Sequence, residues 1–304
     1  MMCMKMRWIA VALIVIVVVS LSFLYIYQRT QYEGVLRVTT ATSLYATGLL
    51  DKLAEAFKQK YPKVLVEFIP VGSGEALRRA AQGDADMVLS HAPNLEKRYL
   101  NDGTLKNGRI FAYNYFIIVG PSNDPAGITG MEPVKAMAAI YSAGEEGKAK
   151  FVSRADNSGT YARELMLWSL AGVNPSGKSW YLELGVDMAQ TLMVANEKRA
   201  YTLSDVGTYL KFSSRLGELK PLIDKGDLLI NTYSVYVVNP VKVPGVNERL
   251  ADAFMEFILS EEGQRIIEDY GVAEYGRPLF NAARGGPTEE LNDAWESMAE
   301  LGMG

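Results

Sequence analysis

The residues best suited to chemistry lie in one stretch between a short apolar run, 150–152, and a helix-like run, 161–170. Arg154, Ser158 and Thr160 fall within this stretch. Ser, Asn, Asp and Thr cap helix starts, where the first backbone N–H groups lack partners and carry partial positive charge. An arginine adds a forked set of donors that suits a tetrahedral oxyanion. The stretch indicates an oxyanion pocket at a strand-to-helix turn, although an ordinary capped helix with a surface arginine explains it equally well.

The chain of 304 residues is long enough for one large domain or two ordinary ones. Its composition and charge exclude several classes of function. The formal net charge of −4 argues against a nucleic-acid-binding protein, because no basic excess meets the phosphates. One cysteine, Cys3, rules out an intrachain disulfide, and with His91 it cannot build a usual zinc site. We expect His91 to be a strand-end residue whose ring hydrogen-bonds locally, so the sequence offers no histidine-based catalytic centre.

The N-terminal segment is typical of a membrane anchor. Lys5 and Arg7 precede residues 8–27, which carry no charge and are numerous enough to span a bilayer core. The positive residues should remain inside, so the rest of the chain should lie outside the cytoplasm. A cleaved signal peptide is the alternative, but residues 23–29 offer no small-residue cleavage site. We predict an uncleaved anchor over 1–30, with secretion after cleavage as the alternative.

Small hydroxyl residues and glycines follow three predicted strands. Thr42 and Ser43 come after the strand at 35–40, Ser73 lies in a Gly-Ser-Gly turn after 64–71, and a third strand ends at Ser90. Helical patterns lie between these strands, and such alternation predicts a parallel α/β sheet. Each turn alone is ordinary turn chemistry. Ligands of open α/β sheets bind outside the carboxyl ends of the strands, so together the turns indicate one shared site.

Two long apolar runs divide the rest of the chain. Residues 109–120 and 228–238 each read as a long strand, and together they could cross between two lobes. Helices over about 246–259 and 261–270 would then return to the first lobe. Residues 288–301 have the pattern of an amphipathic surface helix.

Several motifs occur in a characteristic order along residues 35–281. They are 40–43, 71–77, 83–93, 154–160 and 195–205, and the third, Gly-Asp-Ala-Asp-Met-Val-Leu-Ser-His-Ala-Pro, is the most specific. In this order they resemble the extracytoplasmic tungstate-binding component of ABC transporters. Phosphate- and molybdate-binding relatives carry similar turns, so the ordered set supports the resemblance more than any single motif.

The resemblance implies an α/β, two-lobe periplasmic-binding-protein-like fold of type II, each lobe a mixed sheet flanked by helices, after one N-terminal transmembrane helix. The expected domains are the anchor 1–30, lobe 1 from 31–119 and 230–304, and lobe 2 from 120–229. The anion would lie between the lobes of a monomer that delivers it to an ABC permease with its ATPase, without catalysis or a cofactor. Motif matching, with Ser158 added from the turn chemistry, implies these oxyanion-binding residues: Thr42, Ser43, Ser73, Arg154, Ser158, Thr160 and Thr191.

Two departures from the family pattern and three alternatives qualify this prediction. Ala41 stands where a threonine is common, and Ala155 stands where a glycine is common, so Ala155 tests whether its position needs a positive φ. The resemblance implies tungstate as the ligand, with molybdate as a close alternative. A phosphate site would instead use an acceptor carboxylate, for which Asp156 is the candidate unless it caps a helix or pairs with Arg154. An anchored phosphate-ester hydrolase would use Arg154 as its clamp, but no nucleophile–base pair supports it.

Overall fold

The computed structural model describes residues 32–156, 158–224, 226–284 and 289–301, together with Ile16 and Ser20. The expected anchor therefore lies outside the described residues, apart from those two. Among the residues described, no helix combines the length and apolarity needed to cross a membrane.

Three parallel strands start the chain's first sheet. Strand β1 (Gly34–Ala41) lies between β2 (Val64–Val71) and β3 (Met87–Ser90), with Ala41 opposite Val71 and Thr40 opposite Leu89. This register brings the carboxyl ends of all three strands to one edge, as the alternating pattern predicted. The helices that connect and follow these strands are α1 (Thr42–Thr47), α2 (Leu49–Lys60), α3 (Ser73–Ala81) and α4 (Pro93–Asn101).

The 17-residue strand β4 (Leu105–Pro121) belongs to two sheets. Up to Tyr115 it pairs with β9 (Ile230–Val238), which runs antiparallel between β3 and β4 and completes the first sheet with β10 (Asn281–Ala282). From Phe116 onward its antiparallel partners are β7 (Thr202–Asp205) and β8 (Leu219–Ile223). The long apolar run thus passes from one sheet to the next, which accounts for its length.

Helices cover both faces of the second sheet. Phe116 and Ile118 of β4 enter one hydrophobic core, and the alternate residues Ile117 and Val119 enter another, as the two-residue period of a strand requires. A strand buried on both faces reads as a continuous apolar run. The other elements here are β5 (Phe151–Ser153), β6 (Tyr181–Glu183), α5 (Pro133–Glu145), α6 (Gly159–Leu170), α7 (Met188–Lys198) and α8 (Val206–Phe212).

The C-terminal helices pack against the first sheet. Helix α9 (Glu248–Leu259) places Phe254 against Phe57 of α2, with ring centroids 5.0 Å apart. Helices α10 (Glu261–Asp269), α11 (Val272–Tyr275) and α12 (Glu289–Leu301) follow. The predicted surface helix α12 has a structural role as well, because Trp295 Nε1 donates to the buried carboxylate of Glu96 at 2.7 Å.

Two local expectations were wrong. Thr42 and Ser43 do not form a turn but begin α1, and the preceding Ala41 offers no side-chain cap that the sequence could have revealed. Residues 227–229 form a 3₁₀ turn, so the second long strand begins at Ile230.

Candidate functional site

Arg154 is the most unusual side chain of the site, since it is charged, only 2% exposed and incompletely paired. It follows β5 directly, and its Nη2 donates to Asp156 Oδ2 at 2.5 Å. Its Nε and Nη1 are buried with no hydrogen-bond partner among the described residues. A buried cation with unpaired donors is costly unless a further acceptor completes it. The turn after β5 therefore presents two unpaired N–H donors of a kind that suits an anion.

The backbone of this turn adopts a conformation that glycine favours. Ala155 has a φ of +48°, in the left-handed region. The position where the family commonly has glycine therefore does need a positive φ in this chain. An L-residue other than glycine costs about 1–2 kcal/mol there. Ser153 Oγ accepts a hydrogen bond from Ala155 N at 3.2 Å and helps hold the turn.

The two hydroxyl groups at the start of α6, those of Ser158 and Thr160, differ in whether they already form a hydrogen bond. Ser158 is the N-cap, and its Oγ accepts from Tyr161 N at 3.1 Å. Thr160 is 1% exposed and its Oγ1 has no hydrogen-bond partner in the described structure. Thr160 thus supplies an unused donor, whereas Ser158 serves first as a cap.

The carboxyl edge of the first sheet supplies further unused hydroxyls. Ser73, the first residue of α3, is fully buried and its Oγ has no partner among the described residues. Thr42 is half-buried and Ser43 is buried at the start of α1. Thr40 was not among the predicted site residues, yet its buried Oγ1 also lacks a partner in the described structure. Its position near the end of β1, two residues before Thr42, was the signal that could have identified it.

Thr191 differs from the other predicted residues. It is fully buried on α7, and its Oγ1 donates to the backbone oxygen of Asp187 at 2.8 Å. Its hydrogen is therefore already engaged within the helix. Helix α7 packs against β5, the strand that leads to Arg154, but participation of Thr191 in the site remains a prediction.

His91 joins the two halves of the candidate site. Its Nε2 lies 3.5 Å from Ser43 Oγ, and α6 approaches so closely that a Cβ on Gly159 would lie 2.7 Å from His91 O. A cavity of about 340 Å³ opens beside this contact, and Asn94 and Arg163 are among the residues that line it. The expectation of a locally bonded ring was wrong, because His91 Nδ1 bonds a residue 140 positions away, Asn231, at 3.1 Å.

Burial dominates the electrostatics around the site. It lowers the pKa of His91 to about 4 and that of Arg163 to about 9, and it raises the pKa of Glu164 to about 7. Arg163 Nη2 donates to Ile230 O at 3.1 Å, while Glu164 accepts from Tyr181 Oη at 2.6 Å. Within the described residues, no group of three or more His, Cys, Asp or Glu side chains could hold a metal ion.

Comparison with known proteins identifies the family. Residues 28–262 match the PBP superfamily domain. The tungstate-binding protein TupA of Peptoclostridium acidaminophilum is 39% identical over 259 residues, which cover 84% of this chain and 89% of the relative. The chain belongs to this tungstate-binding protein family. The family resemblance inferred from the order of the motifs is thereby confirmed.

Solved structures of the tungstate-binding family share the fold. The tungstate ABC transporter structure from Geobacter sulfurreducens is 41% identical, covers 78% of this chain and 98% of its own, and has a TM-score of 0.68. The tungstate-binding protein TupA from Desulfovibrio alaskensis G20 is 37% identical, with coverages of 82% and 98% and a TM-score of 0.70. The predicted two-lobe α/β fold is therefore confirmed.

Proposed function

We propose that this protein captures tungstate outside the cytoplasm and delivers it to an ABC permease with its ATPase. The observation that carries the proposal is the buried Arg154, whose Nε and Nη1 have no partner among the described residues. The tungstate-binding names of the 39% and 37% identical relatives support the choice of ligand.

The available donors suit a fully deprotonated tetrahedral dianion. Tungstate carries no proton near neutral pH, so its oxygens only accept hydrogen bonds. Arg154 offers two unpaired donor groups, and the buried hydroxyls of Ser73 and Thr160 offer one each. A hydrogen bond to a charged group contributes about 1.5–3 kcal/mol. Four such bonds in a site screened from water are consistent with tight and selective binding. We place Thr42, Ser43, Ser158 and Thr191 around the same anion as further contributors.

We propose that the anion lies between lobe 1, residues 31–119 and 230–304, and lobe 2, residues 120–229. Separate hydrophobic cores on the two sheets support this division, except that residues 116–119 of β4 already pack in the cores of the second sheet. Two contacts would join the lobes around the anion. Gly159 lies against His91, and Lys211 Nζ donates to Ala46 O and Thr47 O at the end of α1. The uncleaved N-terminal anchor, proposed from Lys5, Arg7 and the uncharged residues after them, would hold the protein at the membrane as a monomer.

Asp156 decides between tungstate and phosphate as the ligand. Its Oδ2 holds Arg154, while its buried Oδ1 has no partner among the described residues. A carboxylate oxygen facing the anion would accept the proton of hydrogen phosphate and repel an unprotonated dianion. The 2.5 Å bond to Arg154 favours the role of partner to the arginine, so we assign tungstate as the ligand and treat phosphate as an outcome of the test.

The test is calorimetric titration of the purified full-length chain with tungstate, molybdate, sulfate and phosphate. Arg154→Gln removes the charge and two unpaired donors, so we expect the tungstate Kd to rise at least about 100-fold, equivalent to roughly 3 kcal/mol. Arg215→Gln, at an exposed arginine, is the matched control and should leave the Kd unchanged. Circular dichroism would show that both variants keep the fold.

Each result has a distinct meaning. Tungstate binding that Arg154→Gln weakens and Arg215→Gln does not would establish the site. Phosphate binding instead of tungstate binding would assign Asp156 as a proton acceptor and overturn the tungstate assignment. Wild-type affinity in Arg154→Gln would show that the anion binds elsewhere.

A further inference from the structure

A chain of hydrogen bonds leads from a backbone carbonyl to the imidazole at the candidate site. Asn114 Nδ2 donates to Leu279 O at 3.3 Å, and Asn231 Nδ2 donates to Asn114 Oδ1 at 2.9 Å. Asn231 Oδ1 then lies 3.1 Å from His91 Nδ1, and His91 Nε2 lies 3.5 Å from Ser43 Oγ. Every side chain in this relay is buried.

The relay fixes where the hydrogen lies on the neutral ring. A backbone carbonyl only accepts, so the amide nitrogen of Asn114 must face Leu279 and its oxygen must face Asn231. The amide oxygen of Asn231 consequently faces His91, and Nδ1 of the ring must carry the hydrogen. Nε2 of the neutral ring then presents a lone pair, so the hydrogen between His91 and Ser43 can come only from the serine.

An incoming anion competes with His91 for that hydrogen. A charge-assisted hydrogen bond is about twice as strong as a neutral one, and at 3.5 Å the bond from Ser43 to His91 is at the outer limit of length. The Ser43 hydroxyl will therefore turn toward the anion. The lone pairs of His91 Nε2 and Ser43 Oγ then face each other with no hydrogen between them. This is unfavourable because both atoms are buried away from water.

The groups that face His91 set how readily it takes up a proton. Burial, together with the positive charges of Arg154 and Arg163, lowers the pKa of the ring, while Asn231 and Asp205 raise it. The ring also stacks on the uncharged side chains of Tyr233 and Phe116, at centroid distances of 5.2 and 6.1 Å, and the backbone of Gly159 lies against it. A dianion bound beside Arg154 would offset the repulsion from the arginines.

We propose that His91 takes up a proton on Nε2 when the oxyanion binds, and that the protonated ring then directs the Ser43 hydroxyl toward the anion. The proton comes from solvent and no covalent bond other than N–H forms. His91 becomes a cation that donates to Ser43 Oγ, and Ser43 becomes a donor to the anion. His91 is thus a positioning residue for Ser43, an inference that rests on the proposed function.

The chain contains one histidine, so labelling histidine with ¹⁵N yields one imidazole to observe by NMR in the full-length protein. Without tungstate, we expect the neutral ring to carry its hydrogen on Nδ1. With saturating tungstate, we expect the midpoint of the ring's pH titration to rise by at least about one unit, which corresponds to tenfold tighter binding of tungstate to the protonated protein. Hydrogen on Nε2 in the free protein, or equal midpoints with and without tungstate, would overturn the proposal.

Calorimetry between pH 4.5 and 8 supplies the second readout. As the pH is lowered, the tungstate Kd of the wild type should fall by up to tenfold per pH unit. This fall should occur between the titration midpoint of His91 in the bound protein and its midpoint in the free protein. His91→Gln should bind several-fold more weakly and lose this dependence, whereas a merely structural role would weaken binding equally at every pH. If the wild-type protein does not bind tungstate, the proposed function is wrong. The position of the hydrogen on the His91 ring in the free protein still tests the hydrogen-bond relay in that case.

Discussion

Gly159→Ala should separate ligand affinity from folding stability in this protein. Gly159 is the first residue of α6, and its backbone lies against His91 from another part of the fold. An added Cβ would lie 2.7 Å from His91 O, whereas ordinary van der Waals contact begins at 3.4 Å. Helix α6 would have to move away by about 0.7 Å, because the opposing atom belongs to the backbone.

The displacement predicts the size of the loss. A hydrogen bond of about 2.9 Å from the start of α6 to the anion would lengthen to about 3.6 Å, beyond bonding distance. Losing one bond to a charged group costs about 1.5–3 kcal/mol, which is roughly a 10- to 150-fold rise in Kd. The clash is relieved when α6 moves away from His91 while the two sheets keep their separate hydrophobic cores, so the thermal midpoint of the free protein should change little.

The assay is calorimetric titration with tungstate beside thermal unfolding followed by circular dichroism. Gly217→Ala is the control, because a Cβ there meets no atom within 4 Å and no positive φ opposes it. A Kd for Gly159→Ala within twofold of the wild type would refute the reasoning, since α6 would then not have to lie against His91 in the bound state.

Two other changes test the strain and the buried charge near the site. Ala155→Gly removes the strain of the positive φ at this position. Because glycine also loses more backbone entropy on folding, the net effect should be a thermal midpoint about 1–2 °C higher. A lower midpoint would contradict the assigned strain. Burial raises the pKa of Glu164 to about 7 from 4.5, so the folded chain binds its proton more tightly than the unfolded chain. This stabilisation, at most about 3 kcal/mol, is complete below pH 4.5 and is lost as the pH rises through 7. Urea unfolding at pH 5 and 8 should show this loss in the wild type, and a smaller loss in Glu164→Gln; equal losses in both would show that Glu164 does not cause it.

Local signals were sufficient to predict the elements that present the site. The apolar run before Arg154 and the capping residues after it marked β5 and α6, because strand period and helix caps are properties of neighbouring residues. The alternation of strands and helices likewise predicted the parallel order of β1, β2 and β3.

The parts that sequence reasoning missed depend on contacts between distant residues. His91 and Asn231 are 140 positions apart, so no local pattern could show that they share a hydrogen bond. The hydroxyl of Thr191 is engaged within its own helix, a rotamer choice that residue type does not determine. Trp295 reaches Glu96 from a helix whose amphipathic pattern indicated only a surface position.

The antiparallel pairing of β3 with β9 has a consequence for the order of folding during synthesis. Ser90 pairs with Ser234, so about half of the chain lies between the two paired residues. Until residues 230–238 emerge, β3 keeps an unpaired edge, the kind of surface that promotes aggregation. The sheet of β7 and β8 with the end of β4 needs no later residue and can form first. The half of the protein that begins the chain is therefore the half that finishes folding last.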